Sequence, residues 1–344
     1  MTGSPGEPMT RRHAPVSSGS PGRIRVAVLI GDSLREYDGD RALAALPGHL
    51  ADPKTTVWVD MTGPSPTQVE AVGAALKLHP LIVEDVLEGN QRAKIETTDG
   101  VIHLVLFALT HGKRFVASEI DLVLSLGLLL TVHDDGWDPR AVHHLRSGLA
   151  PIMTRGPDHL LWAICDDIVD GYFPFVDDLG EAIDSIQDDI IATPTSGDAL
   201  ERLFAMKREL IEVRRAASPT REVFAQLTNR DLPLIDEDEI IYFRDVYDHV
   251  IRLTDELDNY RELASSTLDV YLTQVNNNLS LIMKRLTGVT VILAGVGAVG
   301  GFFGMSEAGT AVAGQAAAGF WVVTALAVAA AGVAAIFLRR IGWI

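Results

Sequence analysis

Residues 286–305 read LTGVTVILAGVGAVGGFFGM, twenty positions without a charge. At a helical rise of 1.5 Å per residue they span about 30 Å, the thickness of a bilayer's hydrocarbon core. A second apolar run, FWVVTALAVAAAGVAAIFL, covers 320–338, and Glu307 is the only charge between Arg285 and Arg339. The linker 306–319 is short and rich in small residues, so the two runs read as a tight hairpin of transmembrane helices. Lys284 and Arg285 precede the first span, Arg339 and Arg340 follow the second, and the loop between carries neither Lys nor Arg. The positive-inside rule then puts both termini in the cytoplasm and 306–319 outside. Gly295 to Gly300 spells G-x-G-x-x-G, but a dinucleotide site needs a strand before it and a helix opening at it. Inside an apolar twenty-mer, glycines four apart (Gly297 and Gly301, Gly300 and Gly304) read instead as positions of close helix packing.

Upstream of the first span, no Pro or Gly occurs between Glu239 and Thr287, and the apolar rhythm runs unbroken into the membrane. A single helix over 239–303 would be about 95 Å long. One small domain cannot bury such a helix, so it predicts a bundle with copies of itself. Asn276, Asn277, Asn278 and Ser280 lie just before the membrane, where they suit either a wet pore mouth or a solvated helix face.

The remainder is acidic: 46 Asp and Glu against 29 Lys and Arg, a formal charge of −17 in 344 residues. This balance argues against a nucleic-acid partner, which calls for a basic stripe, and suits a surface that concentrates cations. Cys165 is the single cysteine, which rules out an intrachain disulfide and a Cys-rich zinc module. Residues 1–22 are rich in Gly, Pro and Ser with no apolar signal core, and read as a disordered tail. Residues 23–138 alternate short strands (24–30, 56–59, 101–108, 120–125, 128–133) with helices at 66–76 and 80–88, an α/β pattern. Residues 139–238 turn helical: 158–191 interrupted near Gly171 and Pro174, 198–218, then a short helix opened by Pro219. The fold class is α+β: a cytoplasmic α/β domain, helical part, stalk helix 239–285, first span 286–305, external loop 306–319, second span 320–338 and basic tail 339–344. No protease-type His/Glu pair, P-loop or nucleophile elbow is present, so no enzyme is expected, and the adjacent His143 and His144 cannot face one metal together on a helix.

Five segments together resemble the CorA family of magnesium channels. His79-Pro80-Leu81-Ile82-Val83-Glu84-Asp85-Val86, followed by Gln91-Arg92, is similar to the family's HPL…ED…QRPK segment, with Ala93 where Pro is usual. Tyr242 to His249 spells YFRDVYDH, Leu268 to Leu272 spells LDVYL, Met283-Lys284 and Leu286-Thr287 match the entry to the first span, and Trp343-Ile344 follows Arg339-Arg340 at a basic-aromatic terminus. The resemblance covers about residue 75 to the end. It implies a homopentameric funnel in a bacterial inner membrane, with the first span lining the pore and Mg²⁺ as both cargo and regulator, Co²⁺ or Ni²⁺ being further cargo. No organic cofactor is implied; the partners are the bilayer, the ions and the chain's own copies.

The resemblance assigns the filter to Gly304, Met305 and Ser306, where the family signature is Gly-Met-Asn. A filter can hydrogen-bond the water shell that Mg²⁺ sheds reluctantly; serine offers a shorter-armed hydroxyl for the purpose, and the mouth becomes wider. Glu307 stands in for the family's acidic loop element. The pore and gate line is Asn277, Ser280, Met283, Leu286, Thr287, Thr290, Ala294 and Gly297, of which Ala294 replaces a bulkier gate residue and Gly297 a threonine. A hydrophobic gate works by dewetting and weakens when its wall shrinks, which favours a zinc transporter resembling the ZntB branch as the alternative. The lost asparagine leaves a third reading, a non-conducting Mg²⁺ sensor. Glu84, Asp85 and Asp245 are assigned as regulatory carboxylates between subunits; read without the resemblance, Asp85 and Asp245 are surface acids paired with Arg or Lys.

Overall fold

The computed structural model describes residues 22–50, 54–89, 91–110, 116–192, 197–229, 232–304 and 316–343. The chain divides into two compact units, Met1–Ser185 with Arg202–Ala264, and Ile186–Glu201 with Ser265–Ile344.

The first unit begins with a seven-stranded sheet. Its strands are β1 (Arg23–Ile30), β2 (Ser33–Asp38), β3 (Thr55–Thr62), β4 (Lys94–Thr98), β5 (Val101–Thr110), β6 (Val116–Ser125) and β7 (Leu128–His133), in the order β2-β1-β3-β7-β6-β5-β4. Only β3 and β7 run parallel; every other neighbouring pair is antiparallel. Two-residue turns set the registers. Asp99 and Gly100 both have positive φ (52° and 76°) between β4 and β5, the backbone that an Asp-Gly hairpin turn requires.

The central strands are buried on both faces, as their near-continuous Val, Ile and Leu runs demand. One face carries Val26, Val28, Val59, Leu130 and Val123 in a single core with residues of α1 (Asp40–Leu50), α2 (Pro66–Leu76) and α3 (Pro80–Glu88). The two predicted helices 66–76 and 80–88 fall where expected because their signals are local. Ser65 caps α2 in a full capping box with Gln68, and Pro66 and Pro80 occupy first-turn positions. Where α2 and α3 meet, a Cβ built on Gly73 lies 2.7 Å from Val83 Cγ2. Gly73→Ala therefore pushes the two helices apart and is expected to destabilise this domain by about 1–3 kcal/mol, read as a lower midpoint in denaturant.

The other face is covered by α5 (Pro157–Asp170), reached through two 3₁₀ turns and the short α4 (Leu149–Thr154). It carries a buried polar row. Arg25 Nε and Nη2 donate to Asp60 Oδ2 at 3.1 and 2.8 Å, and Thr131 Oγ1 donates to Asp60 Oδ1 at 2.7 Å. His133 Nε2 lies 3.1 Å from the same Oδ1, and Trp58 Nε1 donates to Thr131 Oγ1 at 3.2 Å. Burial alone would raise the pKa of Asp60, but the hydrogen bond and charge of His133, with Thr131 and Arg25, outweigh it and hold the carboxyl below the usual range.

Three long helices follow, α6 (Phe173–Ala192), α7 (Gly197–Asn229) and α8 (Ile240–Gly304), of which residues 173–185, 202–229 and 240–264 belong to the first unit. The interruption predicted near Gly171 and Pro174 is the break between α5 and α6, pinned by Tyr172, whose hydroxyl donates to Phe107 O at 2.9 Å. Pro219 does not open a separate helix; α7 runs through it. Ala217, Thr220, Val223 and Phe224, before and after the proline, are all buried, and such tertiary packing outweighs the lost backbone bond. Within this unit Arg214 Nη2 pairs with Asp258 at 3.1 Å and Arg252 stacks on Phe173 at 4.5 Å.

In the second unit the last part of α8 and α9 (Ala316–Arg340) are the long elements. The predicted single helix over 239–303 is observed as α8, 65 residues without a break. Four residues given to the external loop, 316–319, belong to α9 instead, because the run of alanines there favours helix. The disordered-tail reading concerns 1–21, which lie outside the described residues; Gly22, placed in that tail, is bonded to Gln68 Oε1 at 3.0 Å.

Candidate cation sites and pore helix

α3 is oriented by its buried side, Ile82 and Val86, so that Glu84 is exposed and Asp85 half-buried. His79 Nδ1 accepts from Leu81 N at 3.2 Å at its start, and Gly89 ends it at φ 53°. Asp85 is held within its own chain. Lys94 Nζ donates to Oδ2 at 2.5 Å and Gln91 Nε2 to Oδ1 at 3.2 Å. The pairing of Asp85 with a lysine is thus the surface-acid reading, realised in the single chain. Burial alone would lower the Lys94 pKa; its hydrogen bonds to Asp85 and Glu96 carry it above the usual lysine value. A ring nitrogen of His103 and carboxylate oxygens of Asp85 and Glu96 lie within 4.8 Å of one another.

Asp245 lies on α8, exposed and without a partner among the described residues. It is in neither cluster of three or more metal-ligating groups found among them, whereas Asp85 is in the first. One turn further along α8, His249 joins Asp166 and Asp170 in the second cluster, with His249 Nδ1 3.3 Å from Asp170. Burial and the neighbouring Asp166 raise the pKa of Asp170, His249 opposing them.

The start of α8 is anchored by residues the sequence did not single out. Buried Glu239 accepts from Arg155 Nη2 at 2.7 Å and lies 2.7 Å from His159 Nδ1. Asp158 accepts from Asp236 N at 3.0 Å, and Arg155 Nη1 donates to Tyr242 Oη at 3.1 Å. These bonds fix the direction in which α8 leaves α5, and with it the placement of Asp245. In the sequence Glu239 is the last of the acidic run 236–239 and His159 follows Asp158, each just before an apolar stretch, which gave no signal that they meet.

Along α8 the buried side (Phe243, Val246, Val250, Leu253, Leu257, Ala264) repeats at three and four residues and ends at Thr267. Beyond it the helix is long and apolar enough to cross a membrane, and almost none of that stretch is buried. Asn277, Ser280, Met283, Leu286, Thr287, Thr290, Ala294 and Gly297 are all exposed in the single chain. From Ser280 onward, Met283, Thr287, Thr290, Ala294 and Gly297 are spaced alternately three and four apart, the seam of a helical bundle. Thr290 Oγ1 donates to Leu286 O at 2.8 Å, so its hydrogen is engaged and its lone pairs remain as acceptors. Gly304 is the last residue of α8. Met305, Ser306 and Glu307, the rest of the expected filter and its acid, lie outside the described residues.

Comparison with known proteins gives the same picture. The cobalt/magnesium transport protein CorA of Thermotoga maritima is 31% identical over 282 residues, covering 80% of this chain and 79% of that protein. A zinc transport protein ZntB of Pectobacterium carotovorum is 27% identical over a shorter 192 residues, 54% of this chain and 55% of its own. The complete structure of the CorA magnesium transporter from Methanocaldococcus jannaschii superposes with a TM-score of 0.76 at 21% identity, covering 93% of this chain and 98% of that one. Residues 53–340 match the family described as CorA-like Mg²⁺ transporter protein. Sheet, acidic α3, unbroken α8 and apolar C-terminal helices therefore have one explanation: this chain belongs to the CorA-like Mg²⁺ transporter family.

Proposed function

We propose that the chain is one subunit of a passive, gated channel for hydrated divalent cations, with Mg²⁺ the principal cargo and Co²⁺ or Ni²⁺ accepted. The observation that carries this reading is α8: one uninterrupted helix joins the acidic cytoplasmic domain to an exposed apolar stretch whose polar and small residues share a seam. A seam exposed on one chain and apolar on its other sides is satisfied when copies surround a central pore in lipid. The assembly is a homopentamer in the bacterial inner membrane, both termini in the cytoplasm. Asn277, Ser280, Thr287 and Thr290 face the hydrated ion, Met283 and Leu286 narrow the pore, and Gly304, Met305 and Ser306 form its outer mouth with Glu307 beside it.

Regulation follows from charge. Glu84 and Asp85 of one subunit and Asp245 of the next repel one another when bare and are bridged by cytoplasmic Mg²⁺, which favours the closed state because that state brings them together. Asp85 must then leave Lys94 to take the ion, which sets the Mg²⁺ level at which closure occurs.

A bacterium lacking its own Mg²⁺ uptake should grow in low Mg²⁺ when it makes this protein. Absence of rescue with the protein present in the membrane contradicts the reading. A zinc transporter is the second reading, supported by the small Ala294 and Gly297 along the seam and by the zinc-transport relative. Zinc uptake driven by a proton gradient, without Mg²⁺ flux, would establish it instead.

A further inference from the structure

We propose that Asp85, Glu96 and His103 form a second cation site, lying within one subunit, for a transition-metal ion of the Zn²⁺, Co²⁺ or Ni²⁺ class. Glu96 and His103 are direct partners across the β4–β5 ladder, and α3 brings Asp85 to them. His103 carries the argument. It is fully buried, its Nε2 lies 2.8 Å from Asp121 Oδ1, and its Nδ1 has no hydrogen-bond partner. With Asp121 accepting from Nε2–H, the tautomer is fixed and Nδ1 presents a bare lone pair. A buried acceptor left without a donor is unfavourable. A carboxylate behind a histidine whose other nitrogen is free is the arrangement by which proteins orient metal-ligating imidazoles.

Lys94 supports the same point. Its ammonium lies 2.5 Å from Asp85 Oδ2 and 3.3 Å from Glu96 Oε1, so the two carboxylates already converge on a positive charge. A metal ion takes that place only by displacing Lys94, which makes the lysine a built-in competitor. Ligand atoms around a tetrahedral ion with bonds near 2.1 Å sit about 3.4 Å apart, so the three side chains close slightly on binding. Glu96, whose side chain is 52% exposed, gives the ion a way in. One imidazole nitrogen with two carboxylates suits zinc, cobalt or nickel better than Mg²⁺, which prefers oxygen alone.

The site shares Asp85 with the proposed Mg²⁺ regulation and is separated from it by Glu96 and His103. An ion held here engages a carboxylate that the Mg²⁺ reading assigns to the subunit boundary. The test titrates the full-length protein in detergent with Zn²⁺ by calorimetry and with Co²⁺ by its visible absorption. Glu96→Gln should weaken binding at least 10-fold, Lys94→Gln should tighten it at least 10-fold, and His103→Asn should remove the cobalt bands. Asp245→Asn should leave these quantities in place while altering Mg²⁺-dependent closure. Unchanged affinity in both Glu96→Gln and Lys94→Gln overturns the proposal. So does loss of the cobalt bands in Asp245→Asn, which assigns the ion to the subunit boundary.

Discussion

Asp245→Asn should leave the channel conducting at cytoplasmic Mg²⁺ concentrations that close the unaltered protein, with the half-closing concentration raised about 10-fold or more. Asp245 is exposed and has no partner among the described residues, so the substitution removes none of the bonds described in the fold. In the proposed regulation it removes one of the charges that would converge on a bridging ion. A surface ion pair is worth at most about 1 kcal/mol, but a doubly charged ion between converging carboxylates interacts with each more strongly. About 1.4 kcal/mol per site already gives the tenfold shift. In the proposed homopentamer, repetition of the site would multiply the effect on a closure shared by all subunits. Asp85→Asn should show the same direction with a second consequence, since it also leaves Lys94 with Glu96 as its remaining carboxylate. A single gating curve for each variant, with Mg²⁺ varied on the cytoplasmic side, separates the two.

Asp60→Ala should strongly destabilise the sheet-containing first unit, costing about 3–5 kcal/mol. The carboxylate is 1% exposed and serves Arg25, Thr131 and His133 together. Its removal leaves a guanidinium that is itself only 15% exposed with the more distant, half-exposed Asp138 at 3.3 Å as its remaining carboxylate. Against the 5–15 kcal/mol typical of a folded domain, this loss shows as a large fall in thermal midpoint and in expression. The same carboxyl predicts a pH dependence. Its folded pKa lies below its unfolded value of about 3.9. It therefore stabilises the fold at pH above that unfolded value, and the contribution is lost as pH falls through the lower, folded value. Acid unfolding should steepen below about pH 4, and Asp60→Asn, which keeps the shape and loses the titration, should flatten that limb while lowering stability at neutral pH.

Much of this was legible in the sequence because its signals are local. The capping residue Ser65, the prolines 66 and 80 and the absence of helix breakers from 239 to 287 place α2, α3 and α8 almost to the residue. Both strands that were missed, β2 (SLREYD) and β4 (KIETT), are the edges of the sheet. An edge strand is polar by necessity, since charges on it discourage pairing with other chains, so it lacks the apolar alternation that marks a strand. The Asp99-Gly100 turn was the available clue to β4. α1 was missed because Pro47 and Gly48 lie inside it.

The sites were legible unevenly. Glu84, Asp85 and Asp245 could be proposed from segments alone, but the partners that the structure gives Asp85 could not. Lys94 meets Asp85 only because β4 pairs with β5 under α3, and His103 gains Asp121 from β6. Histidines looked uninformative in the sequence because spacing along the chain says nothing of contacts made across strands. The same holds for Arg155, His159 and Glu239, which converge from the end of α4, the first turn of α5 and the residue before α8.

The most direct test is Mg²⁺ flux into vesicles containing only this protein, driven by a Mg²⁺ gradient without any proton gradient, with the cytoplasmic-side Mg²⁺ varied. The account predicts Mg²⁺ entry that stops as Mg²⁺ rises on the cytoplasmic side, in the unaltered protein with Ser306 in place. Absence of Mg²⁺ entry, together with zinc uptake that requires a proton gradient, would contradict it.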